Sequence, residues 1–464
     1  MSNTSKLSFS SISLGQFALG TYILSITLLP LGFGGNRDFP FGLSQIGLAI
    51  SALALMFEQT IINGCYWPKR IKIALVLFAL VLCWGFLQTQ SFMPEAWHHP
   101  LWQDASKALG TPIQGSIALW RDEAFFSLNR LTTYIIAGLL AYILAGDPAR
   151  AKLMLEGLWY SGIALCFYGY LNVITGNTKV LWIDKTQYEN DLTSTFVSKN
   201  HFAIYAVMVM LSGMALLYQS WRNALRNIQA KQMLKAFLRW LQENAFFQVF
   251  LILYVFGAII LSHCRSGLIL GLIGTATFFI GYQIYSKNWK RALTLAAISF
   301  CFSAVIIIIA EQSSEHFAHL FIDQSAGDRL SVYKMCLAAI SENPLFGYGL
   351  GSFQAVYRLY NHSVTWSFNR AHSDTLESLV DLGVPFGLML WAAVALLFSG
   401  LAHGILTRRR HGLFPALGIA ASVVVIAHSS IDFSLQIPGV AMPFAMLLGL
   451  ALAQSWGNGD KSNA

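Results

Sequence analysis

Apolar runs of about 17 to 25 residues recur along the whole chain, with few charged side chains between them. Each run is long enough to cross the hydrocarbon of a bilayer, which is about 30 Å thick and takes roughly 20 residues of helix. Of the 464 residues, 55% are hydrophobic and only 11% are charged. A soluble protein needs roughly a quarter charged residues, so this composition excludes that class. The chain is therefore predicted to be an all-α integral membrane protein.

The apolar runs predict about twelve transmembrane helices. They lie near residues 13–32, 41–57, 71–87, 131–146, 153–174, 202–218, 247–262, 267–285, 292–310, 375–402, 413–429 and 437–455. The longest connection, residues 311–374, joins the ninth and tenth spans. No linker or low-complexity segment divides the sequence, so residues 1–464 are predicted to form a single polytopic domain that includes this loop.

The distribution of Lys and Arg predicts the orientation, because cytoplasmic segments of membrane proteins carry an excess of these residues. With the N-terminus in the cytoplasm, the cytoplasmic segments hold 18 basic and five acidic residues, against 12 basic and 17 acidic residues on the other side. Both termini are therefore predicted to be cytoplasmic, and the loop 311–374 is predicted to lie outside.

Several other classes of site find no support in the sequence. The six cysteines are scattered without metal-ligand spacing and are interpreted as core residues. His98 and His99 lack a third ligand nearby and are interpreted as part of an interfacial stretch. The basic residues form no face interleaved with aromatic residues, so no nucleic acid is expected as a partner. No cofactor and no metal are predicted.

Polar residues cluster at the span ends on the predicted outer side. Ionisable groups at such positions are costly in a membrane and commonly mark a functional cavity. The clusters are residues 34–38, 196–202, 262–267, 327–330, 343–351, 369–377 and 428–433. A site on the outer face is therefore predicted.

Four segments of these clusters form a recognisable pattern. They are His372-Ser373 followed by Leu376-Glu377 and Gly383, the loop from Asn343 to Phe353, the stretch from Lys199 to Ala203, and the ending from Asp432 to Pro438. With the twelve predicted spans, they resemble the O-antigen ligase and polymerase superfamily of bacterial envelope glycan enzymes, best from about Phe196 to Leu450. One position departs from the family pattern, which has Gly, Thr or Tyr where this chain has Phe386.

The resemblance implies a glycosyltransferase of the bacterial inner membrane with its active site at the periplasmic face. Its partners would be a glycan donor linked to undecaprenyl diphosphate, a glycan or lipid A core acceptor, and membrane lipids. Transfer to a sugar hydroxyl is expected to be inverting and metal-independent. Phe386 and the ending Asp432-Phe433 favour a polymerase over a ligase, and both readings stay open.

The chemistry of this reaction assigns roles to the candidate residues. His372 is the candidate general base, because histidine has an unperturbed pKa near neutrality, and Glu377 or Asp374 would orient it. Arginine binds diphosphate through paired, charge-assisted hydrogen bonds. The predicted substrate-binding residues are Arg265, Arg329, Arg370, Lys199, His201 and Arg37.

Alternative readings compete with these roles. His372 could simply cap the tenth span, Arg265 could snorkel to the interface, and Asp432 with His428 is better read as a buried pair that holds the last hairpin. A second function is a polysaccharide transporter or lipid-linked glycan flippase, which ranks lower because no carboxylate lies at a span centre. A third is a metal-dependent transferase with Asp38 or the pair Asp122-Glu123 as ligands.

Overall fold

The computed structural model describes residues 13–224, 232–298, 324–361, 368–408 and 411–456. Nearly all regular structure in this part of the chain is helical. The one sheet found there is a short antiparallel hairpin of β1 (Lys179–Val180) and β2 (Ile183–Asp184). The predicted all-α class is therefore confirmed.

The first half of the chain forms eight α-helices. They are α1 (Leu14–Thr27), α2 (Asp38–Met56), α3 (Gln59–Asn63), α4 (Lys69–Gln88), α5 (Leu101–Leu109), α6 (Arg121–Leu144), α7 (Pro148–Ile174) and α8 (Lys199–Ala224). Local sequence sets several of the starts. Ser13 and Gln16 form a capping box at α1, and the Asp147 side chain caps α7, in which Pro148 takes the first position.

The second half contains α9 (Met233–Trp240), α10 (Phe246–Leu261), α11 (Arg265–Tyr285), α12 (Gln324–Glu342), α13 (Phe353–Tyr360), α14 (Asp374–Thr407), α15 (Leu413–Ser429) and α16 (Pro438–Ala453). Residues 289–298 are also helical. A π-helical turn, Leu241–Ala245, joins α9 to α10. The side chains of Cys264 and Ser373 accept backbone hydrogen bonds at the starts of α11 and α14.

Among the described residues, seven helices are long and apolar enough to cross a membrane. They are Leu14–Leu31, Asp38–Met56, Lys69–Gln88, Arg121–Leu144, Lys199–Ala224, Arg265–Tyr285 and Asp374–Thr407. The pair Leu234–Glu243 and Phe246–Leu261, bent by 64°, would add an eighth, while α15 and α16 are apolar but shorter. The chain is thus a multi-pass membrane protein, and the count of twelve stays a prediction. The predicted ninth span, 292–310, and the loop 311–374 lie partly outside the described residues.

Helix α8 forms the buried centre of the molecule, and most of its side chains from His201 to Leu216 are inaccessible. It packs against α7, α10, α11 and α15. Close approach is possible because small residues face bulky ones: a Cβ at Gly213 would lie 2.4 Å from the Trp159 ring. The first turn of this central helix contains Lys199, Asn200 and His201, which lie at the polar cluster described below.

Helix α14 is broken near its N-terminal end, and the loop 343–351 packs against this break. Gly383 has φ +77°, a left-handed conformation that suits glycine, and a Cβ there would lie 2.5 Å from the Leu345 carbonyl oxygen. The freed backbone groups bond to the loop instead, since Tyr348 donates to the Val380 carbonyl and Val384 to the Pro344 carbonyl. The glycine-containing loop 343–351 is thereby docked on the start of α14.

Candidate functional site

Asp432 lies at the centre of the polar cluster and is only 2% exposed. Its Oδ1 lies 3.2 Å from Nδ1 of His372 and 3.9 Å from Nε2 of His201, and its Oδ2 accepts a 2.9 Å hydrogen bond from Asn200. Burial alone raises the pKa of this carboxyl, but the adjacent imidazoles of His201 and His372 outweigh burial and hold the pKa well below its usual value. Asp432 is therefore an anion between two imidazoles.

His372 is held on several sides. Its backbone has φ +52°, which is uncommon for a residue other than glycine, and its carbonyl accepts a 2.9 Å hydrogen bond from the Tyr333 hydroxyl. The imidazole makes edge contacts with the rings of Phe368 and Phe433, whose centroids lie 5.8 Å and 5.0 Å away. Because Nδ1 faces Asp432, Nε2 is the nitrogen directed to the other side of the ring.

Asp374, a predicted orienting group, has different partners. Its Oδ2 accepts a hydrogen bond from the backbone of Leu435 and its Oδ1 one from the side chain of Gln436, both 3.1 Å long. These bonds tie the start of α14 to the segment that follows Asp432. The Asp374 carboxylate therefore bonds the segment that follows Asp432 rather than the His372 imidazole.

Glu377, the other predicted orienting group, pairs with Arg370. One carboxylate oxygen lies 3.3 Å from Nη1 of Arg370 and the other accepts a 2.7 Å hydrogen bond from the Ala371 backbone. Nη2 of Arg370 lies 3.2 Å from Glu123 on α6. Burial alone lowers the pKa of Arg370, but Glu377 and Glu123 raise it above its usual value. The positive charge of Arg370, a predicted diphosphate-binding residue, is thus already compensated by the carboxylates of Glu377 and Glu123.

Helix α12, which belongs to the connection between α11 and α14, packs against the cluster. Nη1 of Arg329 donates to the carbonyl of Ile431, 3.4 Å away, one residue before Asp432. Tyr333, one turn further along α12, holds the carbonyl of His372. The predicted residue Arg329 is therefore brought beside the His372–Asp432 pair.

Asn200 links this pair to the start of α11. Its side chain donates to Asp432 and accepts from Sγ of Cys264 at 3.3 Å, and Cys264 directly precedes Arg265. The prediction from sequence did not single out Asn200 or give Asp432 a role beside His372. The one available signal was their membership of two polar clusters on the same predicted face.

Lys199 lies on the same turn of α8 but pairs with the loop before it. Its Nζ is 2.9 Å from Oδ2 of Asp191 and 5.1 Å from the centroid of the Tyr188 ring. Asp191 also contacts Nδ1 of His263 at 2.7 Å. Lys199 and His201 thus flank Asn200 at the edge of the cluster.

Two other residues considered from the sequence have different surroundings. Arg37 precedes α2, with its guanidinium 5.6 Å from the centroid of the Phe33 ring. His428 is buried beside Asp432: its carbonyl accepts a 2.9 Å hydrogen bond from the Asp432 backbone, and its Nδ1 bonds Oγ of Ser434 at 2.6 Å. In the described ranges, no group of three or more His, Cys, Asp or Glu side chains is arranged to hold a metal ion.

An elongated apolar cavity of about 280 Å³ begins beside the cluster, between α4, α6, α14 and α16. Its lining runs from Ser127 to Tyr142 on α6, which at 1.5 Å per residue spans about 22 Å, a large part of the roughly 30 Å hydrocarbon layer. Its charged lining residues are Arg130, Arg370, Asp374, Glu377 and Asp381, and Gln436, which also lines it, donates a hydrogen bond to Asp374.

A search of curated proteins found no match to the chain. The model of the family described as O-antigen ligase matches residues 250–392, from α10 into α14. The matched segment contains His372, Arg265, Arg329 and Arg370, whereas Asn200 and Asp432 lie outside it. This match confirms the resemblance drawn from the sequence: residues 250–392 are similar to the O-antigen ligase and polymerase superfamily.

Proposed function

We propose that the protein transfers a glycan from an undecaprenyl diphosphate carrier to a sugar hydroxyl, at the periplasmic face of the bacterial inner membrane. The observation that carries this proposal is the 3.2 Å contact between His372 and Asp432, close in sequence to Asp374 and Gln436, which line an apolar cavity. A base and an apolar channel side by side fit a reaction in which a polar acceptor meets a lipid-linked donor. Both chain termini would then lie in the cytoplasm.

His372 is the general base in this proposal, and Asp432 is its positioning residue. Asp432 binds the Nδ1 proton, so Nε2 carries the lone pair that accepts the proton of the acceptor hydroxyl. The same carboxylate stabilises the imidazolium that forms. The acceptor oxygen attacks the anomeric carbon as the bond to the diphosphate oxygen breaks, and this single displacement inverts the configuration.

The leaving diphosphate needs cations more than it needs a proton, because it is already a weak base. Arg329 donates to one backbone carbonyl and a guanidinium has five N–H donors, so it retains donors for phosphate oxygens. Arg265 begins α11 beside Cys264, and Lys199 and His201 lie across Asn200 from it. Arg370 and Arg37 are poorer candidates, because Arg370 is compensated by two carboxylates and Arg37 lies against Phe33.

The apolar cavity suits the polyprenyl tail of the donor. Its length along α6 is comparable to the depth of the bilayer core, and its apolar walls remove from water the surface that a polyprenyl chain would otherwise expose. The diphosphate would then lie at the outer end. The flippase alternative uses the same cavity but requires no base, so it leaves the His372–Asp432 pair without a role.

The decisive experiment uses purified protein, a defined undecaprenyl diphosphate-linked repeat unit and excess chelator, with and without a lipid A core acceptor. Growth of chains without the core acceptor identifies a polymerase, which we favour from the residue Phe386, and transfer only with it identifies a ligase. His372→Ala should lose about 10²- to 10⁴-fold in rate. His403→Ala, which alters a histidine stacked on Trp456 elsewhere on α14, is the control and should keep the full rate.

Three outcomes would contradict the proposal or its metal-independent form. Full activity of folded His372→Ala protein would remove the base. Movement of the intact repeat unit across liposomes, with no transfer to either acceptor, would replace the transferase with the flippase. Activity that disappears in chelator and returns with a divalent cation would restore the metal-dependent reading.

A further inference from the structure

A second cavity, of about 520 Å³, lies at the opposite end of α8 from the His372–Asp432 pair. Gln219, near the C-terminal end of α8, lines this cavity, whereas His201 lies in the first turn of α8, next to Asp432. Gln219 lies eighteen positions after His201, which corresponds to about 27 Å of helix, close to the thickness of the hydrocarbon core. The two sites therefore lie at opposite boundaries of the membrane.

The charges in this cavity come as one pair. Of the described residues that line it, only Lys152 and Glu156 carry full charges, and their Nζ and Oε1 atoms lie 2.9 Å apart across one turn of α7. Their side chains are 47% and 27% exposed, so both can accept a further partner. The described part of the lining thus offers one cation and one anion side by side, and these two charges cancel.

The cavity also contains an unused acceptor. The Oε1 atom of Gln219 is buried and has no hydrogen-bond partner among the described residues. A buried carbonyl oxygen without a donor is destabilising, so a ligand that donates to it is favoured. Two neighbouring donors are already used: Trp240 donates to Ser220 and Gln248 to the Gly213 carbonyl.

The rim of the cavity is apolar and open to lipid. Tyr160 and Phe247 line it and are 62% and 69% exposed, and Leu153 and Phe250 extend the same surface with 49% and 54% exposure. An occupant therefore enters from the bilayer and presents acyl chains to these side chains. A polar pocket that opens sideways into lipid suits a headgroup and not a soluble ligand.

The geometry points to a binding site for a phospholipid with a primary ammonium headgroup, such as phosphatidylethanolamine, in the leaflet opposite the proposed active site. Its phosphate binds Lys152, and its ammonium donates to Glu156 and to Oε1 of Gln219. The zwitterion matches the neutral charge pair, whereas an anionic headgroup leaves Glu156 facing negative charge. A trimethylated headgroup has no N–H to give to Gln219 or Glu156. This inference is independent of the proposed transferase activity.

Native mass spectrometry of the purified full chain tests the site, with phosphatidylethanolamine, phosphatidylcholine and phosphatidylglycerol of the same acyl chains. Phosphatidylethanolamine should bind at least about tenfold more tightly than the other two, as expected for hydrogen bonds to a charged group. Glu156→Gln and Gln219→Leu should each abolish most of its advantage over phosphatidylcholine. Asp104→Asn breaks a comparable but exposed ion pair with Lys107 on α5 and should change nothing.

Four results would overturn the assignment. One is equal binding of the three lipids by the unaltered protein, and another is a preference for phosphatidylglycerol. The third is an unchanged preference for phosphatidylethanolamine in both variants. Displacement of the lipid by an equal concentration of soluble phosphoethanolamine would show a soluble-ligand site instead. Gln219→Leu keeps the Lys152–Glu156 pair, so it tests the site even where Glu156→Gln unfolds.

Discussion

Nδ1 of His372 lies 3.2 Å from Oδ1 of Asp432, although sixty residues separate them in the chain. The contact joins the segment before α14 to the segment between α15 and α16. It gives the candidate base a fixed tautomer and a counter-charge, which neither neighbouring carboxylate on α14 supplies. The predictions below follow from this pair and from the structure that holds it.

Asp432→Asn should separate the role of Asp432 from that of Asp374. The amide keeps the shape of the carboxylate but stabilises neither the Nδ1–H tautomer nor the imidazolium, so we expect a rate loss of about 10³- to 10⁴-fold. Asp374→Asn should lose less than about tenfold, because an amide still accepts a hydrogen bond from Leu435 or Gln436. Initial rates of glycan transfer measure both. Equal losses would return the orienting role to Asp374.

The low pKa of Asp432 predicts how its stabilising contribution changes with pH. Its folded-state pKa lies below the unfolded value of about 4, so the ionised group contributes stability above that value and loses it as pH falls through the folded pKa. Asp432→Asn should therefore lower the unfolding temperature in detergent across about pH 5 to 7. The difference from the unaltered protein should shrink only below about pH 4. A difference that vanishes near neutrality would contradict the assignment.

Arg370 should prove more important for folding than for phosphate binding. Arg370→Ala leaves Glu377 and Glu123 without their cation, and removing one partner of a buried pair costs about 3 to 5 kcal/mol. Glu123→Gln should cost less, because its side chain is 28% exposed and Glu377 still pairs with the guanidinium. Unfolding temperatures in detergent show which of the two variants loses more stability. A stable Arg370→Ala protein with a raised KM for donor would instead support the diphosphate role.

The sequence carried enough information for the fold class and for part of the site. Apolar runs identified the long helices because each must satisfy its own backbone within lipid, and the His372 motif marked the start of α14. Side-chain contacts between residues that are distant in sequence could not be predicted from apolar runs or local motifs. Asp374 and Glu377 are close to His372 in sequence, but the helix begins after Ser373 and directs both side chains to other partners. Asp432 and Asn200 reach His372 only through tertiary packing.

Gly383→Ala should disturb the loop docked on α14. The new Cβ would lie 2.5 Å from the Leu345 carbonyl oxygen and would strain a left-handed backbone, so we expect a loss of several kcal/mol, more than the roughly 1 kcal/mol cost of a left-handed alanine alone. Gly110→Ala is the matched control, because Gly110 has φ +64° with nothing within 4 Å of its Cβ. Unfolding temperatures compare the two variants. Similar shifts would mean that the loop adapts to the change.

Filling the apolar cavity should weaken binding of the donor tail without touching the polar cluster. Val394 lines the cavity on α14, and a tryptophan there takes up space that the tail requires. Val394→Trp should raise the KM for an undecaprenyl-linked donor by about tenfold, equivalent to the burial of roughly two CH₂ groups, and leave kcat nearly unchanged. A donor analogue with a short prenyl chain, which does not reach this depth, should show no difference between the two proteins.

Val76→Trp provides the control for that change, because Val76 is 58% exposed on α4 and does not line the cavity. It adds the same volume to the outer surface of the same bundle and should leave both donors unaffected. If Val394→Trp lowers kcat equally for the long and the short donor, the substitution has disturbed the His372–Asp432 pair. If it changes neither parameter, the tail lies elsewhere and the cavity is not the donor channel.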